Sequence, residues 1–166
     1  MRQKPLPIAP QSEADLTAEL KTQGCTSMRL RQLMRRVAQH YDLEMAKAGL
    51  KTTQYSLLSH VLKRGPLRPG ELAQGMQLSA STLTRNLKPL VDAGWVELTA
   101  GSDARSRLVA ITPAGQAKRE EARRCWKLAQ ESLNQQLGAG RVLALHRLIN
   151  ESLDVLSHTE SGADDE

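Results

Sequence analysis

The chain contains no phenylalanine and only four aromatic residues, Tyr41, Tyr55, Trp95 and Trp126. Leu, Val, Ala and Met must therefore do the packing of a core that 166 residues are enough to bury. Cysteine is equally scarce. Cys25 and Cys125 lie far apart and lack CxxC or Cys/His ligand spacing, which argues against a disulfide framework and a structural zinc. No apolar run is long enough to cross a bilayer. The N-terminal MRQKPLPIAPQSEADL has three prolines and no apolar h-region, so it is neither a secretory signal nor a span. A cytoplasmic protein with no membrane partner is expected. Catalytic signatures are missing too: there is no GxSxG, no HExxH and no phosphate loop. His40, His60, His146 and His158 have no carboxylate or thiol at a motif spacing. Neither an enzyme nor a metal or cofactor site is expected.

What is abundant is positive charge, unevenly placed. Residues 1–24 hold three basic and three acidic side chains, and residues 151–166 hold six acidic and no Lys or Arg. Residues 25–150 therefore carry 20 Lys and Arg against 9 Asp and Glu, about +11 where the whole chain is +5. Such a charge favours an anionic partner, nucleic acid above all.

The segment from Ser79 to Thr112 gives that charge a shape. Leu83, Leu87, Leu90 and Val91 recur at helical spacing, with Ser79 as N-cap and Gly94 just past the end. The opposite face carries Ser81, Thr82, Thr84, Arg85 and Lys88, short hydroxyls and long cations able to approach base edges and phosphates in a major groove. A solvated amphipathic helix would show the same polar face. Pro89 removes one amide donor and crowds the Arg85 carbonyl, so a kink is expected there rather than an end. Two β-branched runs follow, Trp95 to Thr99 and Leu108 to Thr112, joined by a polar tip with Asp103, Arg105 and Arg107. Arginines at a hairpin tip suit a narrow minor groove. Asp103 could instead cap its own turn or pair with Arg105 or Arg107.

The flanking chain reads as helices. Leu30, Met34, Val37 and Tyr41 form one stripe of a helix from Cys25 to Ala48, ended by Gly49. Thr52 is expected to cap a helix from Thr53 to Arg64, with Tyr55, Leu58 and Val61/Leu62 facing inward, and Gly65-Pro66 stops it. Pro69 starts a short helix to Met76, which together with the Ser79 helix makes a helix-turn-helix. Thr112-Pro113 opens a long helix to about Leu137. After Gly138-Ala139-Gly140, a last helix from Arg141 to about Leu156 carries Val142, Leu145, Ile149, Leu153 and Leu156 on one side. The outer helices are more apolar than a small winged core needs, which points to a second copy as partner.

The expected organisation is mainly α with a small β-hairpin wing. It comprises a partly ordered arm (1–24), helical dimerisation segments (25–50 and 113–157), a winged helix-turn-helix region (51–112) and an acidic, disordered tail (158–166).

That order resembles the MarR family of bacterial transcriptional regulators. The resemblance is carried by GLKTTQYSLLSHV (Gly49 to Val61), ELAQGMQLSASTLTRNLKPLVDAGWVE (Glu71 to Glu97) and DARSRLVAITPAGQ (Asp103 to Gln116), the last similar to the family's D-x-R-x-R-x-x-x-L-T-x-x-G signature. It implies a two-fold symmetric homodimer on a palindromic double-stranded DNA operator, with a recognition helix in each major groove and a wing in the flanking minor groove. By position, Ser79, Ser81, Thr82, Thr84, Arg85 and Lys88 look like base and phosphate contacts, and Arg105 like the wing arginine. Ala104 and Leu98 stand where many members are basic, so phosphate contacts near the wing are fewer. The resemblance also implies repression relieved by a small aromatic carboxylate, with Met28, Arg29, His40, Tyr41, Tyr55 and Trp126 as wall residues. Two alternatives stay open. Some relatives sense organic hydroperoxides through a cysteine near the start of the first helix. Cys25, close to Lys21, Arg29 and Arg31, is the redox candidate, although it falls slightly early relative to Tyr41. The other alternative is a winged-helix protein-interaction module without DNA. Cys125 reads as a packing residue.

Overall fold

In the computed structural model, residues 12–101 and 107–160 are described, apart from the side chains of Gln23 and residues 158–160. The elements are α1 (Glu13–Gln23), α2 (Thr26–Met45), a 3-10 turn (Ala46–Ala48), α3 (Thr52–Arg64), α4 (Pro69–Gly75), α5 (Ala80–Asp92), the strands β1 (Val96–Ala100) and β2 (Arg107–Ile111), α6 (Pro113–Leu137) and α7 (Ala139–Glu160). This is the expected class, mainly α with a hairpin wing after a helix-turn-helix. By its internal contacts the chain divides after Val37, within α2.

In the first unit, the expected arm contains a regular helix. Ser12 Oγ accepts from the Asp15 amide at 3.2 Å, while the Asp15 carboxylate accepts from the Ser12 amide at 3.3 Å and from its hydroxyl at 2.7 Å. This reciprocal cap satisfies the first free donors of α1, so the helix starts without an apolar stripe to drive it. Leu16 and Leu20 are exposed, as are Leu30 and Met34 on α2.

The second unit holds the core. Met45, Leu57, Leu58, Val61, Leu72, Leu90, Val96 and Val109 are essentially inaccessible to water. Each such Leu contributes about 1.5–3 kcal/mol by leaving water. The inner face of α3 differs from the expected one in two places: Leu62 is exposed and Leu57 is buried. A helix packed against α5, α6 and β2 at once has no single inner stripe. Its N-cap also differs. Thr52 is the first helical residue, and its amide and hydroxyl both donate to Asp42 Oδ1, at 2.9 and 2.7 Å.

The hairpin pairs Val96 with Ile111, Leu98 with Val109 and Ala100 with Arg107. Leu67, just before α4, exchanges both backbone hydrogen bonds with Val109 on the free side of β2. With neighbours on both sides, β2 is the inner strand, so Val109 is fully buried while Leu98 opposite it is 43% exposed. Thr112 caps α6 as expected, and Pro113 occupies its first position. Two further boundaries differ. Helix α7 starts at Ala139 and continues to Glu160, through the first residues of the expected tail, while residues 161–166 lie outside the described part. Of its expected stripe, Val142 is buried and Leu145 half-buried, whereas Ile149, Leu153 and Leu156 are exposed.

Candidate nucleic-acid interface

Helix α5 is built to hold one face inward and offer the other. Leu83, Leu87 and Leu90 are buried, and Ser81, Thr84, Arg85 and Lys88 are exposed. The start is fixed by Ser79, whose hydroxyl accepts from the Thr82 amide at 3.2 Å and lies 2.8 Å from Thr82 Oγ1 and 3.2 Å from Ser81 Oγ. Its end is a Schellman motif: Gly94, at φ 69°, donates to Val91 O, and the Trp95 amide donates to Leu90 O, both at 2.9 Å. The helix runs unbroken through Pro89. Just ahead of it, Gln77 closes the helix-turn-helix with φ 52°, a strained value for a residue other than glycine.

The polar face is partly committed to itself. Thr84 Oγ1 donates to Ala80 O at 2.9 Å, so the hydroxyl turns acceptor lone pairs and its methyl outward. Arg85 Nε makes a long 3.4 Å contact with Ser81 O, leaving the rest of the guanidinium fork available. Lys88 Nζ is 2.8 Å from Asp92 Oδ2, a residue that sequence reasoning left aside although i,i+4 spacing marks it. Arg107 is exposed at the start of β2, whereas Asp103 and Arg105 lie outside the described residues. Between α4, α5 and β1 runs a groove of about 410 Å³, walled by Pro69, Ala73, Leu83, Leu87, Val91 and Leu98, with Thr84, Lys88 and Asp92 at its polar edge. Among the described residues Lys88 is the one cation on its wall, and it pairs with Asp92.

The six candidate wall residues fall in both units. Met28 and Arg29 belong to the first, where they flank a concavity of about 350 Å³ with Cys25, Gln32 and Arg35; Cys25 is exposed. The other four belong to the second. His40 Nε2 is 2.9 Å from Ala129 O, and the Tyr41 hydroxyl donates to Gln130 Oε1 at 2.6 Å. Burial raises the Tyr41 phenol above its usual pKa of 10.0. Tyr55 and Trp126 stack at 6.0 Å, with the Arg119 guanidinium 5.6 Å from the Tyr55 ring. The polar tips of His40 and Tyr41 and the rings of Tyr55 and Trp126 are thus already engaged within the fold. Cys125 is half-buried against the core. Among the described residues no helix is long and apolar enough to cross a membrane, and no three His, Cys, Asp or Glu come together as metal ligands do.

Comparison with known proteins agrees with this geometry. Residues 48–106 match the model of the MarR family. The HTH-type transcriptional regulator YwoH of Bacillus subtilis is 32% identical over 92 residues, 55% of this chain and 67% of that protein. The multiple antibiotic resistance protein MarR of Salmonella typhimurium is 28% identical over 144 residues, 86% of this chain and 98% of its own. Among solved structures, the Mycobacterium tuberculosis transcriptional regulator MosR in complex with DNA superposes with a TM-score of 0.63 at 28% identity, covering 78% of this chain and 98% of that one. A helix-turn-helix with an exposed hydroxyl and cationic face, a hairpin wing behind it, and these relatives together place the chain in the MarR family of winged-helix transcriptional regulators.

Proposed function

We propose that the protein is a homodimeric repressor that binds a palindromic DNA operator and leaves it when a small aromatic carboxylate binds. The observation that carries the DNA part is the outer face of α5, where Arg85, Lys88, Ser81 and Thr84 stand clear of the core beside the hairpin. In this reading Ser79, Ser81, Thr82, Thr84 and Arg85 meet the major groove, Lys88 and Arg107 the phosphates, and Arg105, with Asp103 beside it, the minor groove. Dimerisation is supported by the apolar side chains that a single chain leaves in water, among them Leu16, Leu20, Met28, Leu30 and Met34 in one unit and Leu143, Leu148, Leu153 and Leu156 on α7. Half-sites then lie about one helical turn apart, ~10 bp. The aromatic acid rests on the family resemblance; its candidate wall residues lie in separate units, Met28 and Arg29 in one and His40, Tyr41, Tyr55 and Trp126 in the other. The test is retardation of duplexes from the protein's own upstream region at low salt, followed by release on titrating aromatic acids. Failure to retard any duplex, or a monomer at micromolar concentration, refutes the reading. In Arg105→Ala, affinity falls while the thermal melt stays put.

The exposure of Cys25 within a concavity shared with Arg29 and Arg35 favours one second reading, a thiol sensor of organic peroxides. Peroxide that releases DNA from the wild type but not from Cys25→Ser would establish it in place of ligand control.

A further inference from the structure

Thr112 bonds both to the end of the recognition helix and to the first turn of α6. The Thr112 hydroxyl donates to Gly94 O at 2.7 Å, and the Thr112 amide donates to Trp95 O at 3.1 Å. The same hydroxyl accepts from the Gly115 amide at 3.0 Å, capping α6. Gly94 and Trp95 are the residues whose own amides close the Schellman end of α5. Their carbonyls, pointing the other way, are taken by the first residue before α6. The approach is close enough to require glycine one turn further on: a Cβ at Gly115 would overlap the Trp95 carbonyl oxygen and lie 2.8 Å from its carbon. Trp95 is also held from the side by Lys118 of α6, whose Nζ is 5.3 Å from the ring centre.

We infer that Thr112 is a positioning residue that sets the angle between the recognition helix and the long helix α6, and so the spacing between half-sites that the dimer accepts. This rests on the dimeric DNA-binding reading above. The 25 residues of α6 make a lever about 37 Å long at 1.5 Å per residue. A looseness of ~5° at its first turn displaces one end relative to the other by about 3 Å, close to the ~3.4 Å between successive bases of a strand. A junction held by two hydrogen bonds to consecutive carbonyls, with no Cβ between the backbones, removes that freedom.

Capping and clamping can be separated, because the cap needs Thr112 as an acceptor and the clamp needs it as a donor. Thr112→Asp keeps an acceptor for the Gly115 amide and loses the donor to Gly94 O; Thr112→Ser keeps both. A duplex is first selected from a random pool by the wild-type protein, and affinities are then measured for it and for versions with the half-site spacer one base pair longer or shorter. The ratio of affinities is the readout, since general weakening or an added charge moves all duplexes together. The expected result is a ratio about tenfold smaller in Thr112→Asp and within about twofold of wild type in Thr112→Ser. If Thr112→Asp binds more weakly but discriminates spacers as the wild type does, the inference is wrong and Thr112 only caps α6. If Thr112→Asp does not fold, Thr112→Ala, which removes the donor to Gly94 O, takes its place: the spacer ratio is expected to shrink as for Thr112→Asp, and a ratio within about twofold of wild type overturns the inference. If the wild type enriches no duplex, the DNA-binding reading itself falls, and this inference with it.

Discussion

Asp92 is an acidic residue in the last turn of the helix proposed to meet DNA, and Asp92→Asn is expected to tighten operator binding. Its carboxylate holds Lys88 Nζ at 2.8 Å, with side-chain exposures of 57% and 74%. An exposed i,i+4 pair is worth about 0.3–0.5 kcal/mol, which a phosphate must displace to recruit the lysine. The carboxylate also repels that phosphate. For charges ~7 Å apart in water at 0.15 M salt, Coulomb's law with screening gives about 0.25 kcal/mol. The two effects amount to roughly 0.55–0.75 kcal/mol per protomer and twice that for a dimer, or about six- to twelvefold in affinity. Freeing up to one cation per protomer also steepens the dependence of log K on log salt by as much as ~1.8. The fold loses little, because a negative charge at a helix C-terminus opposes the macrodipole. Fluorescence anisotropy of a labelled operator duplex, titrated at several KCl concentrations, measures both numbers. An unchanged or weaker affinity at low salt would show that Lys88 does not face a phosphate and would refute the electrostatic account.

Three further perturbations test the packing beneath the site. Leu90→Ala empties a fully buried position under the recognition helix and should cost about 2–5 kcal/mol in chemical denaturation, a loss under ~1 kcal/mol contradicting its place in the core. Gly115→Ala, which in an ordinary helix gains about 1 kcal/mol, should here destabilise by ~1–3 kcal/mol because of the Trp95 carbonyl; a raised melting temperature would contradict that close approach. His60 Nε2 is buried without a hydrogen-bond partner among the described residues, and burial, then Arg64 and Lys63, lower its pKa below 6.5. The unfolded chain therefore takes up the proton first. Stability is fully present above pH 6.5 and declines as pH falls from there through the lowered folded value. Melting curves between pH 7.5 and 5 for wild type and His60→Gln test this, and parallel profiles would remove His60 from the account.

Capping chemistry was the most legible part of the sequence, because its partners are local. Ser79, Gly94, Thr112 and Pro113 each occupy the position their side-chain chemistry dictates. Helix α1 was not legible, since Leu16 and Leu20 make no sustained stripe and Asp15 stands where a capping box more often has Glu. The Asp42 cap of α3 depends on how the α2–α3 corner folds, across ten residues, and no local rule points to it. Leu57 was missed for a related reason: a helix surrounded on several sides buries positions outside the expected stripe. On the site itself, helical spacing placed Thr84, Arg85 and Lys88 outward correctly. It could not show that Asp92 occupies Lys88, because a pattern of faces says nothing about which neighbours pair.

The scarcity of aromatic residues leaves the two indoles as separate optical reporters. Trp95 sits at the α5–α6 clamp beneath the Lys118 ammonium, and Trp126 stacks on Tyr55 between α3 and α6. Excited at the red edge of indole absorption, where Tyr41 and Tyr55 do not absorb, Trp126→Phe leaves an emission spectrum reporting the DNA-reading end alone, and Trp95→Phe one reporting the helical body alone. Movement in the two parts can then be timed independently, in the unlabelled protein, as DNA or an effector is added.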